Sequence, residues 1–202
     1  MKDNRGFTLV ELIAVVVILA VIMLIAVPNV VSTINKNKKE SFIEDAKKFK
    51  AAVEAKIASD TSIEKPNADN ALLFTLDKVG KAEISDSPYG TKYSRTKSFV
   101  VVVKVPMTVN VGEGESLNKS KLEYYVHLVS CKSADCDDTD IDSRYGINMA
   151  VVDNLNTSDR FELVVQADEV IVPDITHDDY GYVTGILQQK TGRSKTIIKY
   201  KG

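Results

Sequence analysis

Apolar and polar positions are distributed very unevenly along this chain. From Phe7 to Val27 nearly every side chain is apolar, and from Leu12 to Val27 the apolar character surrounds the whole helical wheel. A helix in the core of a soluble domain would keep a polar face. The 21 residues of this stretch make a helix of about 31 Å, which matches a hydrocarbon core of roughly 30 Å. The pattern predicts a membrane span. No Ala-x-Ala site follows it, so it does not read as an ordinary secretory signal.

A second pattern begins further on. Phe42, Ala46, Phe49, Val53 and Ile57 recur at helical spacing and form one apolar stripe. Between the two patterns lies Ser32–Ser41, "STINKNKKES", in which Ile34 is the sole apolar residue and two asparagines are poor helix formers. A continuous helix over residues 8–58 would be about 76 Å long. Its first half would lie in the membrane, its second half would rest its stripe on a globular domain, and the polar stretch is the expected hinge.

Residues 59–97 are mixed, with turns at Pro66, Gly80, Pro88 and Gly90 and a short helix expected over Asp69–Val79. After Lys97 the pattern turns to strand. Phe99–Val105 is a β-branched run that Pro106 should break or push to a sheet edge. Leu122–Val129, Phe161–Val165, Glu169–Val172, Tyr180–Gln188 and Thr196–Tyr200 are further expected strands, the last two joined by a hairpin turn at Thr191-Gly192. The fold class expected is therefore α+β: a long N-terminal helix packed on an antiparallel sheet. The organisation expected is a leader at 1–6, the long helix at 7–58 with its span at 7–27, a connecting region at 59–97 and a sheet domain at 98–202.

Charge alters this picture at one place. The chain of 202 residues is nearly neutral, with a formal charge of −2, which gives little support to a nucleic-acid-coating role. Glu11, however, is an acid inside the apolar stretch. A charge near the centre of a bilayer costs about 2.5–3.5 kcal/mol, less toward the interface, so an intramembrane acid is a functional candidate unless it snorkels to the headgroups. Gly6-Phe7-Thr8-Leu9-Val10-Glu11, with Pro28 further along and the short basic leader Met1–Gly6 before it, resembles the processing site of type IV pilins and pseudopilins.

That resemblance implies a set of roles. A membrane aspartyl protease, the prepilin peptidase, would cut between Gly6 and Phe7, and the new amine of Phe7 would be N-methylated. Glu11 would serve assembly by pairing with the Phe7 amine of a neighbouring subunit, or would pair within its own chain. Pro28 would kink or locally loosen the helix; alternatively the helix ends before it. The function implied is a structural subunit of a type IV pilus, serving adhesion, aggregation or twitching motility, with no enzymatic activity. Its partners would be further copies or other pilins, the peptidase, the cytoplasmic membrane and the assembly machinery. It would be a single-pass membrane protein before assembly and part of an extracellular filament afterwards. A pseudopilin of a type II secretion or DNA-uptake system is the alternative within the family, and a membrane-anchored extracytoplasmic enzyme the alternative outside it. Lys36, Lys38 and Lys39 oppose this orientation, because the positive-inside rule would draw them to the cytoplasm.

Other candidate chemistry is sparse. Cys131 and Cys136 can form a disulfide outside the cytoplasm, worth about 2 kcal/mol for so small a loop; free thiols or a metal site remain open. A zinc site would need more ligands than His127 and His177 supply. Asp135, Asp137, Asp138, Asp140 and Asp142 form an acidic run that reads as a solvated loop; Asp138, Asp140 and Asp142 echo the start of a calcium loop, but Ser143 and Met149 stand where its glycine and final acid belong. Asp174, His177, Asp178 and Asp179 read as a polar turn. No metal or cofactor is expected. Lys190, Arg193, Lys195, Lys199 and Lys201, with Tyr180, Tyr182 and Tyr200 nearby, read as the solvent face of a hairpin, with nucleic-acid binding as the alternative. No Gly-x-Ser-x-Gly elbow or phosphate-cradling glycine loop is present.

Overall fold

The computed structural model describes residues 8–79, 84, 86–112, 115–133, 136, 140–155, 163–165, 171–173, 175 and 180–201. The elements are α1 (Leu9–Ser59), β1 (Asn70–Thr75), β2 (Phe99–Gly112), β3 (Glu115–Cys131), β4 (Ile141–Val151), a 3-10 turn (Val152–Asn154), β5 (Leu163–Val165), α2 (Gly181–Thr191) and β6 (Thr196–Lys199). The chain divides into two compact units, Met1–Asn37 and Lys38–Gly202.

In the first unit α1 is helical although valine and isoleucine dominate it. Their intrinsic preference is for strand. In lipid, however, each backbone N–H and C=O must be satisfied within the segment, and a single span can do this only as a helix. Its large side chains lie open, Leu24 at 77% exposure, as a surface meant for lipid or other helices requires. Ser32–Ser41 stays helical throughout.

The second unit is an α+β domain. The last part of α1 lays the expected stripe, Phe42, Ala46, Phe49 and Val53, on one face of a six-stranded sheet ordered β5-β4-β3-β2-β1-β6. Leu72, Phe74, Val100, Val102, Val126 and Leu128 meet it from the strands. The opposite face carries Leu73, Phe99, Val101, Val103 and Tyr125, covered by Val183 and Leu187 of α2. The sheet is therefore covered on both sides. That is why Phe99–Val103 is apolar without alternation: a strand buried on both faces has no solvent side to show. Tyr93 ties α1 to this domain by donating its hydroxyl proton to Asp45 at 3.0 Å.

Several sequence-based expectations are corrected. Asp69–Val79 holds strand β1, not a helix. Its alanine and leucines favour a helix locally, but all six strand residues are buried between β2 and β6, and tertiary pairing outweighs the propensity. Tyr180–Gln188 is not a strand; α2 occupies it, burying Val183 and Leu187 one turn apart. Thr191-Gly192 is accordingly no hairpin turn. Gly192 ends α2 at φ 70°, its N–H donating to the Gln188 carbonyl at 2.9 Å, a left-handed cap that glycine adopts without a Cβ penalty. Finally, the sheet is not wholly antiparallel, since β6 runs parallel to β1. Pro106 does not break β2, and the edge expected for it is local rather than that of an outer strand. It pairs with Ser120 of β3, while β1 pairs with β2 only over Phe99–Val103, so β2 has no strand on that flank at the proline. Ile171 and Val172 are not in a strand, and Glu169 lies outside the described residues.

The β3–β4 ladder shifts register twice, and at one of the shifts β4 carries an extra residue. Val126 pairs with Ala150 but Leu128 with Ile147, so β4 bulges between them. Met149 in the bulge has a φ of 26°. The bulge lets Ile147 and Ala150, three positions apart, both face α1, while Met149 faces α2.

Candidate functional site

The start of α1 is built around Thr8 and Glu11. The backbone N–H of Thr8 donates to the Glu11 carboxylate at 2.8 Å and its hydroxyl donates to the same oxygen at 2.9 Å. In return the Glu11 N–H donates to the Thr8 hydroxyl oxygen at 3.3 Å. This is a reciprocal capping box, Thr8 as N-cap and Glu11 three residues on, which satisfies N–H groups that the first helical turn leaves without partners. The Thr-x-x-Glu spacing before an apolar run is its sequence signature, and reading Glu11 only as an assembly residue passes over it. Glu11 thus has a use inside its own chain. Gly6 and Phe7 lie outside the described residues.

Pro28 stands inside α1, which continues past it. A proline there has no N–H for the Leu24 carbonyl. Beside the gap, the Asn29 amide donates to the Ile25 carbonyl at 3.1 Å and the Thr33 hydroxyl to the Asn29 carbonyl at 2.9 Å. These side chains supplement the backbone ladder where the proline weakens it.

In the second unit Cys131 and Cys136 are joined as a disulfide, their Cα atoms 5.5 Å apart. Cys131 is the buried last residue of β3, and its N–H donates to the Lys92 carbonyl at 2.8 Å. The bridge closes the start of the β3–β4 connection onto the sheet. Replacing both cysteines by serine is expected to lower stability by about 2 kcal/mol through the loop entropy restored to the unfolded chain. Chemical denaturation of the oxidised and reduced protein, with the double variant as control, measures it; equal midpoints for all three would contradict a bridge that constrains the fold.

Of the acidic run, Asp140 is half-buried and Asp142 buried; Asp135, Asp137 and Asp138 lie outside the described residues, as do Asp174, His177, Asp178 and Asp179. Among the described residues no three His, Cys, Asp or Glu side chains gather as a metal site.

His127 is fully buried on the α2 side of β3. Its ring stacks on Phe99 at 4.7 Å and meets the edge of Tyr182 at 6.2 Å. Nδ1 accepts from the Met149 N–H at 3.4 Å, so the bulge supplies its partner. Among the described residues Nε2 makes no hydrogen bond within normal distance. Burial pushes the imidazole down to about 3, against a smaller upward pull from the Ile171 backbone. A ring that stays neutral and enclosed serves packing.

The basic residues near the C-terminus are dispersed by α2. The Lys199 ammonium donates to the Ile175 carbonyl at 2.9 Å, and Lys195 is buried, donating to the Ala68 carbonyl at 2.7 Å. They form no continuous solvent face of a hairpin.

The second unit is thus a pilin-like α+β domain, with a helix on each face of a largely antiparallel sheet, and the chain carries an apolar helix long enough to cross a bilayer ahead of it. Residues 1–27 match the prokaryotic N-terminal methylation motif, the prepilin-type cleavage and methylation signal of type IV pilins and pseudopilins. No curated protein and no solved structure matches the chain. The motif supports a type IV pilin-like or pseudopilin protein, made as a membrane-anchored precursor, and implies processing by prepilin peptidase and assembly with other pilins. Proteins of this kind are generally structural rather than enzymatic.

Proposed function

We propose that this chain is a subunit of a type IV pilus. Prepilin peptidase cuts between Gly6 and Phe7, Phe7 is N-methylated, and the mature chain polymerises through α1 into an extracellular filament. The observation that carries this reading is the methylation motif set on a helix whose apolar side chains lie open all round. Such a surface serves first as a membrane anchor and then as a helix-packing surface. In the filament the Glu11 carboxylate, freed from its cap, faces the Phe7 amine of a neighbour. Such a pair at about 4 Å attracts by about 4 kcal/mol at an effective dielectric near 20, before desolvation. Part of the charge that opposes this orientation is engaged elsewhere: the Lys38 ammonium lies 3.7 Å from the centre of the Tyr89 ring, a cation–π contact.

Mass spectrometry of the chain from cells with active prepilin peptidase is expected to show loss of Met1–Gly6 and one methyl group on Phe7. An intact leader removes the reading. Electron microscopy of sheared cells with an antibody against residues 38–202 is expected to label surface filaments; label confined to the envelope would favour a pseudopilin.

A further inference from the structure

Arg193 and Lys195 separate from the other basic residues near the C-terminus and turn into a notch at the flank of the sheet. The notch arises from the register. β1 begins at Asn70 and pairs with β2 only as far as Val103, while β6 begins beside Asn70 at Thr196. β2 runs on to Gly112. Lys104–Pro106 therefore pass the start of β1, and the turn between α2 and β6 folds into the opening. The cavity holds about 220 Å³ and is lined by Lys104, Lys119, Arg193 and Lys195, with Pro106 and Ser120 between them.

The chemistry of this lining is one-sided. Among the described residues it contains four cations and no carboxylate. Lys195 is only 4% exposed, and its partner is the neutral carbonyl of Ala68. Asp69 favours its charge, but burial and Arg193 oppose it more strongly. Lys104, Lys119 and Arg193 have no ion pair among the described residues. Elsewhere in the domain lysines do find acids: Lys121, two residues from Lys119, meets Glu123 at 2.8 Å, and Lys50 and Lys56 meet Asp153 and Asp60. Unpaired cations converging from two strands and a turn, one of them desolvated, leave a surplus of positive charge that a bound anion would offset.

We propose that this notch binds a phosphate group, either free or carried on an anionic lipid headgroup. Inorganic phosphate carries roughly one to two charges near neutral pH and a phosphodiester headgroup about one; the free ion thus balances more of the surplus than a carboxylate, and the diester still offers two oxygens to a guanidinium. The Arg193 guanidinium can engage two of its oxygens while the lysines act as point charges. The Ser120 hydroxyl is exposed and available to donate. Thr191 is not, because its hydroxyl donates to the Leu187 carbonyl at 2.7 Å. The carbonyl end of α2 beside it repels anions weakly and is outweighed by the cations. The site is independent of filament assembly, and its test reads the subunit alone.

The test uses the full chain in uncharged detergent micelles and follows amine-reactive labelling of Lys104 and Lys119. Inorganic phosphate is expected to protect both lysines at concentrations where acetate of equal ionic strength does not. The exposed triple variant Lys104→Ala, Lys119→Ala, Arg193→Ala is expected to weaken phosphate binding by about tenfold or more, read by phosphorus-31 line broadening; Lys195 is left in place to preserve the buried contact. The same chain in phosphatidylcholine nanodiscs, with and without phosphatidylglycerol, separates the sources. Protection by phosphatidylglycerol without added phosphate identifies the headgroup; protection by inorganic phosphate alone identifies the free ion. Equal protection by acetate, unchanged binding by the triple variant, or protection that follows protein concentration and ignores phosphate would each overturn the proposal, the last by pointing to an acidic segment of a second copy.

Discussion

Glu11→Gln is expected to stop filament assembly while leaving the chain processed and inserted. The substitution separates the two uses of Glu11. Glutamine at the third helical position can still accept from the Thr8 backbone and hydroxyl, so the cap at 2.8 and 2.9 Å is largely kept. What is removed is the negative charge, and with it the proposed attraction to a neighbour's Phe7 amine. Removing one partner of such a buried pair costs about 3–5 kcal/mol per subunit in all, because the amine is left without its counter-charge. Thr8→Ala makes the opposite change: it weakens the cap by about 1 kcal/mol and keeps the charge. Filament yield in sheared fractions is therefore expected to vanish for Glu11→Gln and to fall only modestly for Thr8→Ala, with both mature chains still in the membrane fraction. Normal filaments from Glu11→Gln would show that the carboxylate is retained for its cap alone.

The second large effect is acid destabilisation through His127. An imidazole free in the unfolded chain titrates near 6.5, whereas burial holds it at about 3 in the fold. Above pH 6.5 the ring is neutral in both states and its full contribution is present. As the pH falls below 6.5, the unfolded chain takes up a proton that the folded chain refuses, and stability drops by about 1.4 kcal/mol per pH unit. From pH 6.5 to pH 4 the loss from this residue is about 3 kcal/mol. Carboxylates titrate in the same window, so the informative quantity is a difference between variants. His127→Gln keeps an acceptor for the Met149 N–H but cannot charge. It is expected to be less stable than the parent at pH 7, having lost the stack on Phe99, and to lose far less on acidification. Denaturant midpoints of the full chain at pH 7, 5.5 and 4, followed by tyrosine fluorescence, decide the matter; parallel pH profiles would show that His127 is protonated in the fold.

The sequence disclosed most where a pattern has a single physical explanation. The all-round apolar stretch is a helix long and apolar enough to cross a bilayer, and the spacing of Phe42, Ala46, Phe49 and Val53 marks a helix face, buried against the sheet. It misled where two periods coincide. Tyr180, Tyr182 and Ile186 fit alternation, yet Val183 and Leu187, four apart, carry the burial in α2. Asn70–Thr75 misled for the opposite reason: a short apolar run buried on both sides has no period, and only its neighbours β2 and β6 make it a strand. The notch was hidden because Lys104 and Arg193 lie 89 positions apart in the chain, and only the register of β1 against β2 brings their elements together. The capping box is legible at Thr8 and Glu11, but the more specific processing motif covers the same letters.

The bulge in β4 puts Ile147 and Ala150 on one side of the sheet at an odd spacing. Because successive strand positions alternate sides, deleting Met149 would leave the two at the even spacing of a regular ladder, both still turned toward α1. What the deletion would remove is the N–H that His127 accepts and the side chain that faces α2. The additional residue therefore serves the α2 side of the sheet, and shortening the strand there would exchange the histidine's partner for straighter pairing.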